Sequence, residues 1–134
     1  MLSWILMLTW HELLKYHHCP PEIFPQRTPQ IEQKYVDFRR NNPEIIATLR
    51  QRFFKSEQIV LVLSDFPYDI EANILHYILW ISDDNVYSHQ QIETAISQRH
   101  LSVLPGVNMI CYQNPPHRRT INEIQHYHVF IRDK

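Results

Sequence analysis

The sequence predicts an α+β fold, in which a mostly antiparallel sheet follows a helical N-terminal region. Within residues 1–56, apolar residues recur at helical spacing, and proline stands at the first position of two of the predicted helices. Within residues 57–134, short apolar runs rich in β-branched residues follow, interrupted by one helical segment. Helices and strands grouped in separate blocks are typical of α+β domains. Because 134 residues suit one hydrophobic core, we expect a single domain built from these two parts.

Three helices are predicted in the N-terminal part, at residues 10–16, 29–40 and 43–55. Thr9 and Glu12 have the spacing of a capping box, while Thr28-Pro29 and Asn42-Pro43 each place a capping side chain before a proline. The basic residues of the last two helices are interleaved with acidic ones, so we expect them to form a solvated surface. They are Arg39, Arg40, Arg50, Arg52 and Lys55.

Four strands and one more helix are predicted in the second part. The strands lie at residues 59–63, 74–81, 107–112 and 124–131. Both faces of the first two are apolar, with His76 in the middle of the second, so we expect both faces to be covered. Ser88 and Gln91 form a second capping box, which predicts a helix to about Gln98.

The composition narrows the functional classes. A formal net charge of -1 gives no argument for binding to nucleic acid or to a membrane. A single glycine, Gly106, argues against a glycine-rich phosphate loop, which needs several residues without a Cβ. Any phosphate would therefore be held by side chains and ordinary backbone amides.

The N-terminal decapeptide is apolar, but it is too short to span a bilayer and lacks the basic region of a signal peptide. Met7 is an alternative start. The two cysteines, Cys19 and Cys111, are far apart in the sequence and are expected to be thiols in a reducing compartment. We therefore expect a cytoplasmic protein.

The last predicted strand carries the candidate catalytic residues, His126 and His128. Their spacing of two places both imidazoles on one face of the strand. Three interpretations stay open: a hydrogen-bonded core pair, two ligands of a metal, or a nucleophile and a phosphate-binding group. The third donor of such a metal site would be His76, His117 or Asp65.

Other polar residues near these histidines could bind a phosphorylated substrate. Arg118 and Arg119 precede the histidine strand, and Asn114 ends the strand before it. Asp65 and Tyr68 precede the strand that contains His76 and could line the same cleft. The two arginines could instead serve only the solubility of the loop. Asp65 and Tyr68 could simply form a tight turn, and His76 could be a hydrogen-bonded core histidine.

Two adjacent histidines near the N-terminus form a separate candidate. His17 and His18 stand beside Cys19, so they could bind a metal, although a surface loop is the favoured interpretation.

The order of strands and motifs resembles the histidine-triad superfamily of nucleotide hydrolases and transferases. The resemblance rests on His76 in a strand, Asn114 at a strand end, a basic loop and His126-Tyr-His128-Val129. It implies a histidine-triad-like fold with His126 as the nucleophile and His128 as the last histidine of the triad. Ile124 occupies the first triad position.

A second resemblance covers most of the chain. It is to an uncharacterised, largely fungal family that includes an N-acetylglucosamine-induced protein. The shared landmarks are Thr9-Trp10, Arg27-Thr28-Pro29, Asp65-Phe-Pro-Tyr68, Ile74-Leu-His-Tyr-Ile-Leu-Trp80, Asn114 and His126-Tyr-His128-Val129.

We therefore expect an enzyme acting on a phosphoester or phosphoanhydride of a nucleotide or sugar nucleotide. His126 and His128 would be catalytic, with His76, Asn114, Arg118, Arg119, Asp65 and Tyr68 binding the substrate. The expected partner is a phosphorylated small molecule, and a homodimer stays open. No cofactor is expected, with a divalent metal as the alternative. A module that binds a nucleotide, sugar or protein without catalysis is the rival interpretation.

Overall fold

The structure, a computed structural model, describes residues 7–22, 25–116, 121 and 123–133. Within them, four α-helices and a four-stranded antiparallel sheet form an α+β fold, as predicted. In chain order the elements are α1 Trp10–Leu13, a 3₁₀ turn Leu14–Tyr16, α2 Pro29–Asn41, α3 Ile45–Phe53, β1 Ile59–Leu63, β2 Ile74–Ile81, α4 His89–Arg99, β3 Met109–Tyr112 and β4 Gln125–Arg132. None of these helices is long and apolar enough to cross a membrane.

Three of the four helix starts follow the predicted capping signals. The Thr9 and Ser88 hydroxyls accept hydrogen bonds from backbone N–H groups three residues later, and both capping boxes are complete. The Thr28 hydroxyl accepts from the backbone N–H of Ile31 at 3.3 Å, directly before Pro29. These side chains satisfy backbone donors that a helix start leaves without a partner.

The predicted start of the third helix at Asn42-Pro43 is wrong. Helix α3 begins at Ile45, and its N-cap residue Glu44 makes no capping hydrogen bond through its side chain. The amide of Asn42 instead donates to the carbonyl of Phe38 at 2.8 Å. Asn42 therefore caps the C-terminal end of α2 and does not begin α3.

The sheet has the strand order β1-β2-β4-β3, so β2 and β4 are central. In the register, Trp80 lies opposite His126, and Ile78 lies opposite His128. Strand β2 is largely buried, but the edge strand β1 is only partly buried. Ile59 and Leu61 pack against the cluster on the α4 side, and Val60 and Val62 pack against a cluster on the other side. Both faces of β1 are therefore covered, as predicted, but only in part.

The two faces of the sheet are covered by different parts of the chain. Helix α4 covers one face, where Leu79, Cys111 and Val129 are fully buried. The N-terminal helices cover the other face, where Leu13 and Leu49 belong to two apolar clusters with residues of the sheet. Because strand residues alternate between faces, His126 and His128 lie on the side that the N-terminal part covers.

Candidate functional site

A cavity of about 90 Å³ lies between the histidine face of the sheet and helices α2 and α3. This space could hold several water molecules, each of which needs roughly 10 to 15 Å³. Five of the predicted site residues line the cavity: Asp65, Tyr68, Asn114, His126 and His128. His76 is buried directly behind them and contacts His128.

A closed series of hydrogen bonds joins Tyr68, His76 and His128. This hydrogen-bonded loop begins and ends at Tyr68. Its backbone N–H donates to His76 Nδ1 at 3.1 Å, so the ring proton of His76 is on Nε2. That Nε2 donates to His128 Nδ1 at 3.0 Å, which places the proton of His128 on its own Nε2. This last N–H lies 3.2 Å from the Tyr68 hydroxyl, which is also hydrogen-bonded to the side chain of Asn114.

Burial keeps both of these imidazoles neutral. It lowers the pKa of His76 to about 3, and the nearby Arg27 guanidinium contributes in the same direction. Burial also lowers the pKa of His128 well below its usual value, with smaller contributions from His76, His126 and Arg27. Burial raises the pKa of the Tyr68 phenol, and Arg27 and Asn114 only partly oppose this effect. The neutral hydrogen-bonded loop is therefore the form present near neutral pH.

His126 is held separately from this loop. Its Nδ1 lies 2.9 Å from the carbonyl oxygen of Ile124, and its ring packs against Trp80 with centroids 4.8 Å apart. Trp80 in turn stacks on Phe53 of α3 at 5.5 Å. The backbone carbonyl directly before β4 and an aromatic stack that reaches α3 therefore fix the orientation of the imidazole.

Three arginines from the N-terminal part also line the cavity: Arg27, Arg39 and Arg52. Arg27 lies over the Tyr35 ring at 4.3 Å, and Arg39 donates to the Tyr35 hydroxyl at 2.8 Å. Arg52 pairs with Asp65 at 2.8 Å. Three guanidinium groups and one carboxylate leave the described lining of the cavity positively charged.

The sequence profile of the DUF3605 family, whose description is a protein of unknown function, matches residues 8–132. The chain belongs to this family. The membership is consistent with the family resemblance expected from the sequence. None of the curated proteins matches the chain.

Among solved structures, the crystal structure of HTC1 is similar to this DUF3605 protein. The two share 15% sequence identity with a TM-score of 0.68, and the match covers 95% of this chain and 86% of the HTC1 chain. At this identity the likeness shows a shared fold.

The structure brings together six of the eight predicted site residues. His76, His126, His128, Asn114 and Tyr68 are all buried, whereas Asp65 is about half exposed in its pair with Arg52. The other two, Arg118 and Arg119, lie outside the described residues, as does His117. Both ring nitrogens of His128 contact protein groups, so the expected contact with phosphate would require one of these hydrogen bonds to break.

The basic lining of the cavity was missed by sequence reasoning. The charge pattern predicts a solvated surface for Arg39 and Arg52, whereas both line the cavity, as does Arg27 of the Arg27-Thr28-Pro29 landmark. The position of a single arginine on α2 or α3 does not reveal that both helices face the histidine strands.

The buried histidines do not form a group of three metal ligands with other described residues. Among the described residues, the three side chains placed closely enough to hold a metal ion together are those of His17, His18 and Cys111. Cys111 points to the α4 side of the sheet, away from His126.

Proposed function

We propose that the protein is a hydrolase or transferase acting on a phosphoester or phosphoanhydride of a nucleotide or sugar nucleotide, with His126 as nucleophile. The observation that carries the proposal is the 2.9 Å contact between His126 Nδ1 and the Ile124 carbonyl. A carbonyl only accepts, so Nδ1 carries a proton, and in the neutral ring the lone pair is then on Nε2. A neutral imidazole with its lone pair on a fixed nitrogen is a competent nucleophile.

The proposed reaction has two displacement steps. Nε2 of His126 forms a bond to phosphorus while the bond between phosphorus and the leaving oxygen breaks. The leaving group takes the electron pair and a proton from solvent. The oxygen of water or of an acceptor hydroxyl then bonds to phosphorus and loses its proton to solvent. The bond between phosphorus and Nε2 breaks, and its electron pair returns to the imidazole.

The cavity supplies the charge that such a substrate requires. The guanidinium groups of Arg27, Arg39 and Arg52 suit the planar array of phosphate oxygens and would stabilise charge that develops on them. The aromatic rings of Phe53 and Trp80 offer an apolar wall for a base or a sugar. The likeness of Asn114 and His126-Tyr-His128 to the histidine-triad pattern supports the same reaction class.

His128 has a positioning role in this proposal. It bridges His76 and the Tyr68 hydroxyl, and its ring meets that of His126 edge-on with centroids 5.8 Å apart. Replacing it would disturb the wall behind the nucleophile without removing the attacking atom. Phosphate charge is then balanced by the arginines, because the buried His128 ring is neutral.

A non-catalytic binding module is the second candidate. Ile124 at the first triad position favours it, because an apolar side chain there cannot exchange a proton with a leaving group. A thermal-shift screen with nucleotides and nucleotide sugars, followed by a product assay for each hit, separates the two candidates. Stabilisation without product would support the binding module.

His126→Asn is the decisive variant. The Asn amide can still donate to the Ile124 carbonyl, so the strand is preserved while the attacking nitrogen is lost. We expect substrate binding to remain and turnover to fall by roughly a thousandfold or more, together with loss of an acid-labile phosphohistidine in rapid-quench labelling. His100→Asn, on the opposite face beside Tyr77, is the matched control and should keep full activity. Normal turnover in His126→Asn would exclude the mechanism.

A further inference from the structure

A second cluster of histidines lies where the N-terminal segment passes the edge of β3 and reaches α4. The backbone N–H of His18 donates to the Cys111 carbonyl at 2.7 Å, which attaches the segment to the sheet edge. The ring of His18 stacks on His89 at 3.9 Å and is nearly parallel to it. His18 also has a φ of 57°, a left-handed conformation that is uncommon outside glycine.

One carboxylate orients both histidines of this segment. Oε2 of Glu93, on α4, lies 3.0 Å from Nε2 of His17 and 2.7 Å from Nε2 of His18. A carboxylate only accepts, so both Nε2 atoms carry protons, and in the neutral rings the lone pairs are then on Nδ1. The backbone N–H of Cys111 donates to His17 Nδ1 at 3.2 Å, in agreement with this tautomer. In metal-binding histidines, a carboxylate typically accepts a hydrogen bond from one ring nitrogen, and the lone pair of the other nitrogen binds the metal.

The thiol of Cys111 lies close to ring nitrogens of both histidines. Nδ1 of His18 lies 4.0 Å from Cys111 Sγ, and one ligating atom each from His17, His18 and Cys111 falls within 4.8 Å of the other two. Ligands of a tetrahedral zinc ion are separated by roughly 3.3 to 3.6 Å, from its bond lengths to nitrogen and sulfur. A contraction of at most about 1.5 Å per pair would therefore close the site around an ion.

We infer that His17, His18 and Cys111 bind a divalent ion of the zinc class, with Glu93 orienting the two imidazoles. On binding, the Cys111 thiol would release its proton to solvent, and His17 Nδ1 would exchange the Cys111 amide for the ion. Three protein ligands leave one tetrahedral position for a water molecule. The site is separate from the proposed nucleophile, because Cys111 and His126 point to opposite faces of the sheet.

The ligand set differs from the one that the sequence suggests. Cys19 directly follows the two histidines, yet it is exposed, whereas Cys111 is fully buried and 92 residues further along the chain. A soft thiolate with two imidazoles favours zinc over magnesium or calcium, which prefer oxygen ligands. An ion here would join the N-terminal segment, β3 and α4 at one point.

The experiment uses the full chain, freed of metal and titrated with Co²⁺ and then Zn²⁺. We expect one equivalent of Co²⁺ to give the near-ultraviolet charge-transfer band of a thiolate ligand, and Zn²⁺ to displace it and raise the unfolding temperature. His18→Asn should abolish both effects while tolerating the left-handed φ. Glu93→Gln should weaken Zn²⁺ binding by about 10- to 100-fold.

Cys19→Ala and Cys111→Ala form the matched pair. We expect Cys19→Ala to bind Co²⁺ as the original chain does and Cys111→Ala to lose the charge-transfer band. If Cys111→Ala does not fold, the result for His18→Asn decides. A missing band in the original chain, unchanged binding in His18→Asn, or a band that depends on Cys19 would each show that the cluster is a hydrogen-bonded contact without a metal.

Discussion

Tyr68 organises the buried histidines from both ends of one hydrogen-bonded loop. Its backbone N–H sets the tautomer of His76, and its phenol meets the last N–H of the loop at His128. Each ring in between has one nitrogen as donor and one as acceptor, so the loop is satisfied only when both imidazoles are neutral. Protonating either ring would place a second donor opposite a donor in a buried position, which is costly.

This arrangement predicts a stability that depends on pH. The folded pKa of His76 is about 3, below the unfolded value of about 6.5, so the unfolded chain takes up a proton first as the pH falls. The free energy of unfolding should be at its full value above about pH 6.5 and decrease towards pH 3. For His76 alone the loss between pH 7 and pH 5 is about 2 kcal/mol, and His128 adds to it in the same direction.

Urea unfolding at the two pH values measures this change, and imidazole NMR signals identify its source. Two ring signals should stay in the neutral form at pH 5. If every histidine signal moved with a midpoint near 6.5, the buried loop would not have the protonation state described above.

Arg39 and Arg40 are neighbours on α2 that offer a test of the basic cavity lining. Arg39 lines the cavity, whereas the side chain of Arg40 is 69% exposed and pairs with Asp37. Losing one charge-assisted hydrogen bond to phosphate costs about 1.5 to 3 kcal/mol, so Arg39→Gln should weaken binding of a ligand from the screen by roughly tenfold or more. Calorimetric titration of both variants with that ligand measures the change in affinity. Arg40→Gln should bind normally, and equal losses in the two variants would contradict a specific role for Arg39.

At the scale of single elements, the predictions that succeeded rest on signals a few residues long. The Thr9, Thr28 and Ser88 caps could be predicted because donor and acceptor are three residues apart in the sequence. The helix start predicted at Asn42 was wrong because the same amide can cap the end of one helix or the start of the next. Here it donates to the carbonyl of Phe38, four residues earlier, and so caps the end of α2. The apolar run of β1 correctly predicts contacts on both faces, but it does not reveal that the strand lies at the edge of the sheet, where burial is only partial.

The Ser88 cap of α4 predicts a modest and specific loss of stability. Its hydroxyl accepts from the Gln91 N–H at 3.1 Å, and the Gln91 side chain accepts in return from the Ser88 N–H at 2.8 Å. Ser88→Ala should lower the free energy of unfolding by about 1 kcal/mol in urea denaturation. Ser97→Ala, inside the same helix, should change it by no more than about 0.5 kcal/mol. Equal effects of the two substitutions would show that the cap contributes nothing particular.

At the scale of the whole molecule, the site depends on contacts between distant parts of the sequence. Arg27, Arg39 and Arg52 reach the cavity from a loop and two helices, and they meet the histidines of strands that begin more than twenty residues later. The histidine face itself could be predicted, since a spacing of two is a local property of a strand. Its basic and aromatic wall could not, because no local pattern states which face of the sheet α2 and α3 cover.

This packing predicts that the helical part and the sheet unfold together. Leu49 of α3 is buried in one cluster with Ile78, Trp80 and Ile124, so the helices lose their apolar partners if the sheet opens. Leu49→Ala should cost about 2 to 5 kcal/mol, with coincident transitions in tryptophan fluorescence and far-ultraviolet circular dichroism. Gln51→Ala, exposed on the same helix, should stay within about 0.5 kcal/mol of the original chain. Two separate transitions, or a loss confined to the helical signal, would show that the two parts are independent domains and that the cavity between them can open without unfolding the sheet.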